Sequence, residues 1–132
     1  MKSDETLIRV RYGETDQMGV VHHGNYALYL ELARIEWLRK LGISYKKMEE
    51  DGIMLPVISL SINFKKSACY DDVIKVKTQL KKIPTATIEF EYEITNENDE
   101  IITTANTVLA FIDIKSKRPV RVPKFILDSV KE

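Results

Sequence analysis

The chain has 132 residues, with 20 lysines and arginines balanced by 20 aspartates and glutamates, and 44% of its residues are hydrophobic. That length suits one domain, taken as residues 1–132, able to bury about two-thirds of the surface its unfolded form exposes. A formal net charge of zero argues against the one-sided basic field needed for nonspecific binding to nucleic acids or anionic membranes, so any polyanion has to be held by local lysines.

The opening MKSDETLIRV lacks an apolar secretion core, and no stretch of about eighteen apolar residues occurs. We therefore expect a soluble cytoplasmic protein without a membrane span. Cys69, the only cysteine, allows no internal disulfide and no metal-ligand spacing, and we expect it buried or half-buried.

Ile8, Val10 and Tyr12 alternate with Arg9 and Arg11, predicting a half-buried strand that ends at Gly13. The junction from Tyr12 to Tyr26 reads YGETDQMGVVHHGNY and holds Asp16 and both histidines. Met18, Val20 and Val21 beside Asp16 and His23 point to a connection that dips into a partly apolar site, which is where chemistry is expected.

Asn25 can cap a helix by accepting from a backbone N–H, and Tyr26, Leu30, Ala33, Trp37 and Leu41 then recur at helical spacing until Gly42. Leu28, Leu32 and Ile35 extend the apolar surface around the helix, leaving Glu31, Arg34, Glu36, Arg39 and Lys40 as a polar minority. Such a helix is buried on several sides, so either a sheet curves around it or a second copy covers it. Tyr45 to Asp51 is a short helix or irregular connection ended by Gly52.

The period then switches to two. Ile58, Leu60, Ile62 and Phe64 form one alternating set; Ile74, Val76, Thr78 and Leu80 form another, and Ile88, Phe90, Tyr92 and Ile94 a third. Each strand has one wet face, and the lysines of the second lie ready to pair with the glutamates of the third. NENDE at Asn96 to Glu100 is a turn before a last strand from Ile101 to Ile114, and Lys124 to Val130 is a terminal helical turn or two. Adjacent strands favour antiparallel pairing, so the fold class is α+β, one long helix wrapped by a curved antiparallel sheet of about five strands.

The junction followed by LYLELARIEWLRKLG, together with YDDVIKV at Tyr70 to Val76 and KRPVRVPKFI at Lys117 to Ile126, resembles the hotdog-fold acyl-CoA thioesterases of the hydroxybenzoyl-CoA thioesterase and YbgC type. The likeness covers nearly the whole chain. It implies hydrolysis of an acyl-CoA, or an acyl-carrier-protein thioester, to free acid and thiol, with no metal or other cofactor. It also implies a homodimer or homotetramer with active sites at the subunit interface.

By position in that family, Asp16 attacks the thioester carbonyl or activates water to do so, and the His23 amide faces the thioester oxygen. YbgC-like members carry a histidine side chain there as well, which makes His23 the second catalytic candidate. The chemistry agrees, because thioester hydrolysis needs a nucleophile or base and donors for the developing oxyanion, and the helix start can supply donors. The other reading of Asp16, a cap for a local turn, stays open at this point.

Val20, Asn25, Glu31, Lys65 and Lys82 are the candidate substrate-binding residues. Glu31 falls where hydroxybenzoyl enzymes place an acid, and a solvent-facing or Arg34-paired carboxylate is the equal alternative reading. Lys65, Lys66, Lys81 and Lys82 are candidates for the nucleotide phosphates, although Pro84, Thr85 and Ala86 stand where a basic cluster can occur. His22 reads as a partly exposed loop residue. The rivals are a noncatalytic acyl-CoA binding or sensing module and, less well matched, a dehydratase on the same fold.

Overall fold

In the computed structural model, which describes residues 3–131, the chain runs through ten elements. These are β1 (Ser3–Arg9), α1 (Asn25–Lys40), α2 (Tyr45–Glu50), β2 (Ile53–Met54), β3 (Val57–Phe64), β4 (Val73–Leu80), β5 (Thr87–Thr95), β6 (Ile101–Ala110), β7 (Ile112–Asp113) and α3 (Lys124–Val130). Five strands form one antiparallel sheet in the order β1-β4-β5-β6-β3, and β2 pairs with β7 apart from it.

Register puts Leu60, Ile62 and Phe64 of β3 opposite Thr107, Ala105 and Thr103, and these in turn opposite Phe90, Tyr92 and Ile94 of β5. One face therefore carries all the alternating apolar sets, and α1 lies on it. The helix packs on β1 and β4, sets Trp37 edge-on to Phe90 of β5 at 5.2 Å, and sets Tyr26 edge-on to Phe64 of β3 at the same separation. Strands lie roughly 4.8 Å apart, so one helix about 10 Å wide touches both edge strands of a five-stranded sheet only if the sheet curls around it. That is the expected α+β wrap.

Gly42 ends the helix as read. It adopts φ +83°, and the N–H of Ile43 returns to the carbonyl of Leu38 at 3.0 Å, closing the last turn. Ser44 caps α2 by accepting from the Lys47 N–H at 3.2 Å.

Several expectations need correction. The first strand stops at Arg9, not Gly13, because the Glu14 carboxylate accepts from the Arg11 N–H at 2.8 Å and draws Tyr12–Glu14 into a 3-10 turn. The last strand breaks at Phe111, whose side chain is fully buried, and the chain then changes partner to β2. Cys69 is exposed, not buried. Arg34, read as part of the polar face, is buried with its guanidinium hydrogen-bonded to Tyr92; its long stem packs while its head finds a partner.

Leu28 and Leu32 remain 59% and 44% exposed, so the sheet does not cover the whole helix. Nor does β3 have one wet and one dry face: Leu60 and Phe64 are exposed on the inner face of an edge strand, and Ile58, at an irregularity in the pairing with β6, is exposed as well. The expected cross-strand pairing on the outer face is partly realised. Lys77 lies opposite Glu93 in register, whereas ion pairs join Lys75 to Glu5 of β1 at 3.6 Å and Lys82, just past β4, to Glu89 of β5 at 3.5 Å.

Candidate active site

The junction folds as a small loop pinned at both ends. Thr15 bridges Val21, Val20 bridges Cys69, and the Val21 N–H donates to the Ala68 carbonyl at 2.9 Å, so the loop leans on the segment between β3 and β4. Within it the Asp16 N–H donates to Val20 O at 2.8 Å and the Gly19 N–H to Asp16 O at 3.0 Å. Gly19 sits at φ +79°, a turn conformation that β-carbon-bearing residues resist.

Asp16 fulfils the turn-capping reading, since its Oδ1 accepts from the Met18 N–H at 2.8 Å. It also lines a cleft of about 360 Å³ with Val20, Val21, His23, Tyr26, Phe64 and the segment Lys65, Lys66 and Ser67. One carboxylate oxygen is thus held by the turn, which fixes the orientation of the other. The two readings are compatible: the turn aims the acid.

The start of α1 is the second wall. The predicted cap is absent: Gly24 occupies the N-cap position, and Asn25 instead donates from Nδ2 to Glu14 O at 2.8 Å. The same carbonyl accepts from the His22 N–H at 3.0 Å, so the helix start and the 3-10 turn are tied together. His22 Nδ1 accepts from the Gly24 N–H at 3.0 Å, and its ring stacks on His23 with centroids 4.3 Å apart. No side chain caps the first turn of α1; His22 holds the Gly24 N–H just before it. Among the described residues, no acceptor is bonded to the His23 N–H.

Beneath the junction, Glu14 Oε1 also accepts from Tyr29 Oη at 2.8 Å, and its Oε2 accepts from Arg11 Nε at 2.9 Å. Burial alone would raise the Glu14 pKa, but the Arg11 N–H, the Tyr29 hydroxyl and the Arg11 guanidinium together hold it below the usual carboxylate value. Burial and then the neighbouring Glu14 carboxylate push the Tyr29 phenol well above its ordinary value.

Of the candidate substrate contacts, Val20 and Lys65 line the cleft with Asp16 and His23. Lys65 has no carboxylate partner among the described residues, whereas its neighbour Lys66 is paired with Glu100. Asn25 lines a separate groove of about 480 Å³ on another side of α1, with Leu7, Leu28 and Leu32. Glu31 is exposed and lines neither cavity. Lys82 lies beyond the end of β4, away from the residues lining the cleft, and pairs with Glu89 at 3.5 Å. Tyr26, Phe64 and Ser67 complete the cleft without having been read as substrate contacts, whereas Lys66, read as a phosphate candidate, does line it; Tyr26 and Phe64 carried only a packing signal in the sequence.

With this geometry in place, comparison with known proteins is informative. Residues 10–130 match the thioesterase-like superfamily. The chain is similar to the acyl-CoA thioesterase YbgC of Haemophilus influenzae, 34% identical over 118 residues that cover 89% of this chain and 86% of that protein. It also resembles the crystal structure of a DHNA-CoA thioesterase from Staphylococcus aureus, with a TM-score of 0.91, 43% identity, and coverage of 97% of this chain and 86% of that one. A 1,4-dihydroxy-2-naphthoyl-CoA thioesterase from Synechocystis shares the fold at 21% identity, with a TM-score of 0.91 over 98% of this chain and 96% of that one.

Proposed function

The chain belongs to the thioesterase-like superfamily and is a hotdog-fold thioester hydrolase, and from that premise we propose that it hydrolyses acyl-CoA to free acid and thiol with Asp16 as nucleophile or general base. The observation that carries the reading is one cleft that combines an oriented Asp16 carboxylate with the unbonded His23 N–H at the start of α1.

Asp16 either attacks the thioester carbonyl, giving a mixed anhydride that water opens, or takes a proton from water as that water attacks. In both routes the C–S bond breaks and the thiolate leaves to take up a proton. The His23 amide and the positive end of α1 stabilise the charge that develops on the carbonyl oxygen, and one such donor typically contributes about 3 kcal/mol to lowering the barrier. Lys65, at the cleft margin without a carboxylate partner, suits the phosphorylated end of coenzyme A. Acyl-carrier-protein thioesters present the same bond, and the cytoplasm is the compartment this reading implies.

The protein acts as a homodimer or homotetramer with its sites at the subunit interface. Support comes from β3, an unpaired sheet edge with exposed Ile58, Leu60 and Phe64, the last of which also lines the cleft.

The test is thiol release from a panel of acyl-CoA and acyl-carrier-protein thioesters by the intact protein and by two variants. Asp16→Asn should lose activity by about 100-fold or more. His23→Ala keeps the main-chain donor, so it should retain most of the turnover unless the imidazole also acts. Absence of release from every thioester would leave the noncatalytic acyl-CoA binding module as the reading, and undiminished release by Asp16→Asn would remove Asp16 from the mechanism.

A further inference from the structure

Tyr26 stands in the first turn of α1, is only 3% exposed, and yet lines the cleft that holds Asp16 and His23. A phenol has one hydrogen to donate and oxygen lone pairs to accept with. The accepting side is in use: the Ala68 N–H donates to Tyr26 Oη at 3.3 Å. The donating side is not, because among the described residues no acceptor is bonded to the Tyr26 hydroxyl hydrogen. A buried donor without a partner is costly, and native structures resolve the cost with water or a ligand. Here the ring borders the cleft.

The position of this donor is fixed from three sides. Its ring is edge-on to Tyr29 at 5.8 Å and to Phe64 at 5.2 Å. Its oxygen is held by the Ala68 peptide, whose carbonyl in turn accepts from the Val21 N–H at 2.9 Å. The Ala68 peptide is thus gripped by Tyr26 on one side and by the Asp16 loop on the other. Burial raises the Tyr26 pKa, which keeps the phenol protonated at neutral pH. A donor this constrained has little reorganisation to undergo when charge appears beside it, the property that makes such groups effective in oxyanion stabilisation.

We propose that the Tyr26 hydroxyl is a catalytic residue, the side-chain donor that joins the His23 main-chain N–H in binding the thioester oxygen. The inference rests on the thioesterase reading and adds a second donor to it. The Tyr26 N–H donates to the His23 carbonyl at 3.3 Å, so the two residues share one turn at the start of α1. As the nucleophile adds, the carbonyl carbon–oxygen π pair moves onto oxygen and the Tyr26 hydrogen bond strengthens without proton transfer. When the C–S bond breaks, the pair returns and the bond relaxes. The contact therefore discriminates the transition state from the bound ester, and its loss should appear in kcat more than in KM.

The experiment measures kcat and KM with an acyl-CoA that the intact enzyme hydrolyses, for Tyr26→Phe and for fluorotyrosines incorporated at position 26. Phenylalanine keeps the ring contacts and removes the hydroxyl; kcat should fall about 100-fold with KM little changed. Fluorination makes the phenol a stronger donor of nearly the same shape, so kcat should rise with phenol acidity while the fold is unchanged by circular dichroism. A purely structural hydroxyl produces no such trend. An unchanged kcat in Tyr26→Phe, a change confined to KM, or a flat response to fluorination would each overturn the proposal. Hydrolysis by the intact enzyme with no effect of Tyr26→Phe removes only this inference, whereas no hydrolysis by the intact enzyme removes the thioesterase reading beneath it.

Discussion

Glu14 receives hydrogen bonds from the Arg11 main chain, the Arg11 side chain and the Tyr29 hydroxyl, while its own carbonyl holds both Asn25 and His22. The ionised form is the one these donors favour, so its pKa in the folded protein lies below the ordinary 4.5. A carboxylate with a depressed folded pKa contributes stability above its unfolded pKa and loses it as pH falls through the folded value. Glu14→Gln removes that contribution. Thermal melts of the two proteins should differ most near pH 7, and the gap should close as pH drops below the usual carboxylate range. A gap independent of pH would mean that the glutamine amide disrupts the junction for reasons unrelated to charge. Asp16, the residue proposed for the chemistry, has a lighter side-chain role in the structure, its carboxylate accepting from the Met18 N–H. The two acids divide the work: Glu14 fixes where α1 starts, and Asp16 faces the cleft.

At the scale of elements, α1 and its end were legible because apolar spacing and a glycine both report on local backbone geometry. Gly42 illustrates the point. Its φ of +83° is needed to close the last turn, and a β-carbon there would meet nothing within 4 Å. Gly42→Ala therefore tests backbone strain without a steric clash, and urea denaturation should show a loss of about 1 kcal/mol. No loss would mean that the turn relaxes out of the left-handed region. The inner faces of β4 and β5 were legible for the same reason, since alternation survives whatever the topology.

What escaped the sequence was non-local. The 3-10 turn depends on a carboxylate reaching back to Arg11, and the break after β6 depends on a core position for Phe111 that no periodicity marks. Asn25 has the composition of a cap, but its amide is drawn across the junction to the Glu14 carbonyl, and no side chain caps the start of α1. Tyr26 read as one more apolar position of α1 because helical spacing is blind to what a hydroxyl meets at the far end of a ring. The loop around Asp16 could be singled out by its chemistry, yet the second wall of its cleft comes from residues 64–67, about fifty positions away along the chain.

For the whole molecule, the two edges of the sheet differ in character. β1 is an edge of mostly polar and charged residues with Leu7 exposed, whereas β3 presents an unpaired backbone together with exposed Ile58, Leu60 and Phe64. Fully burying each such side chain contributes about 1.5 to 3 kcal/mol, so three of them amount to several kcal/mol of association energy before the entropic cost of pairing. An edge of this kind invites an equivalent edge, and antiparallel pairing of two β3 strands about a two-fold axis satisfies its backbone as well as its side chains. Because Phe64 belongs both to this edge and to the wall behind Tyr26, the proposed dimer would couple mechanically to the cleft. Leu60→Lys places a cation in the middle of the row, four residues from Phe64 and outside the cleft lining. Sedimentation should then show a protein of half the intact mass, with thiol release falling in step with the dimer fraction and recovering as protein concentration is raised. A Leu60→Lys protein that stays associated would shift the interface to another surface, and a monomer with full activity would show that the cleft is complete within one chain.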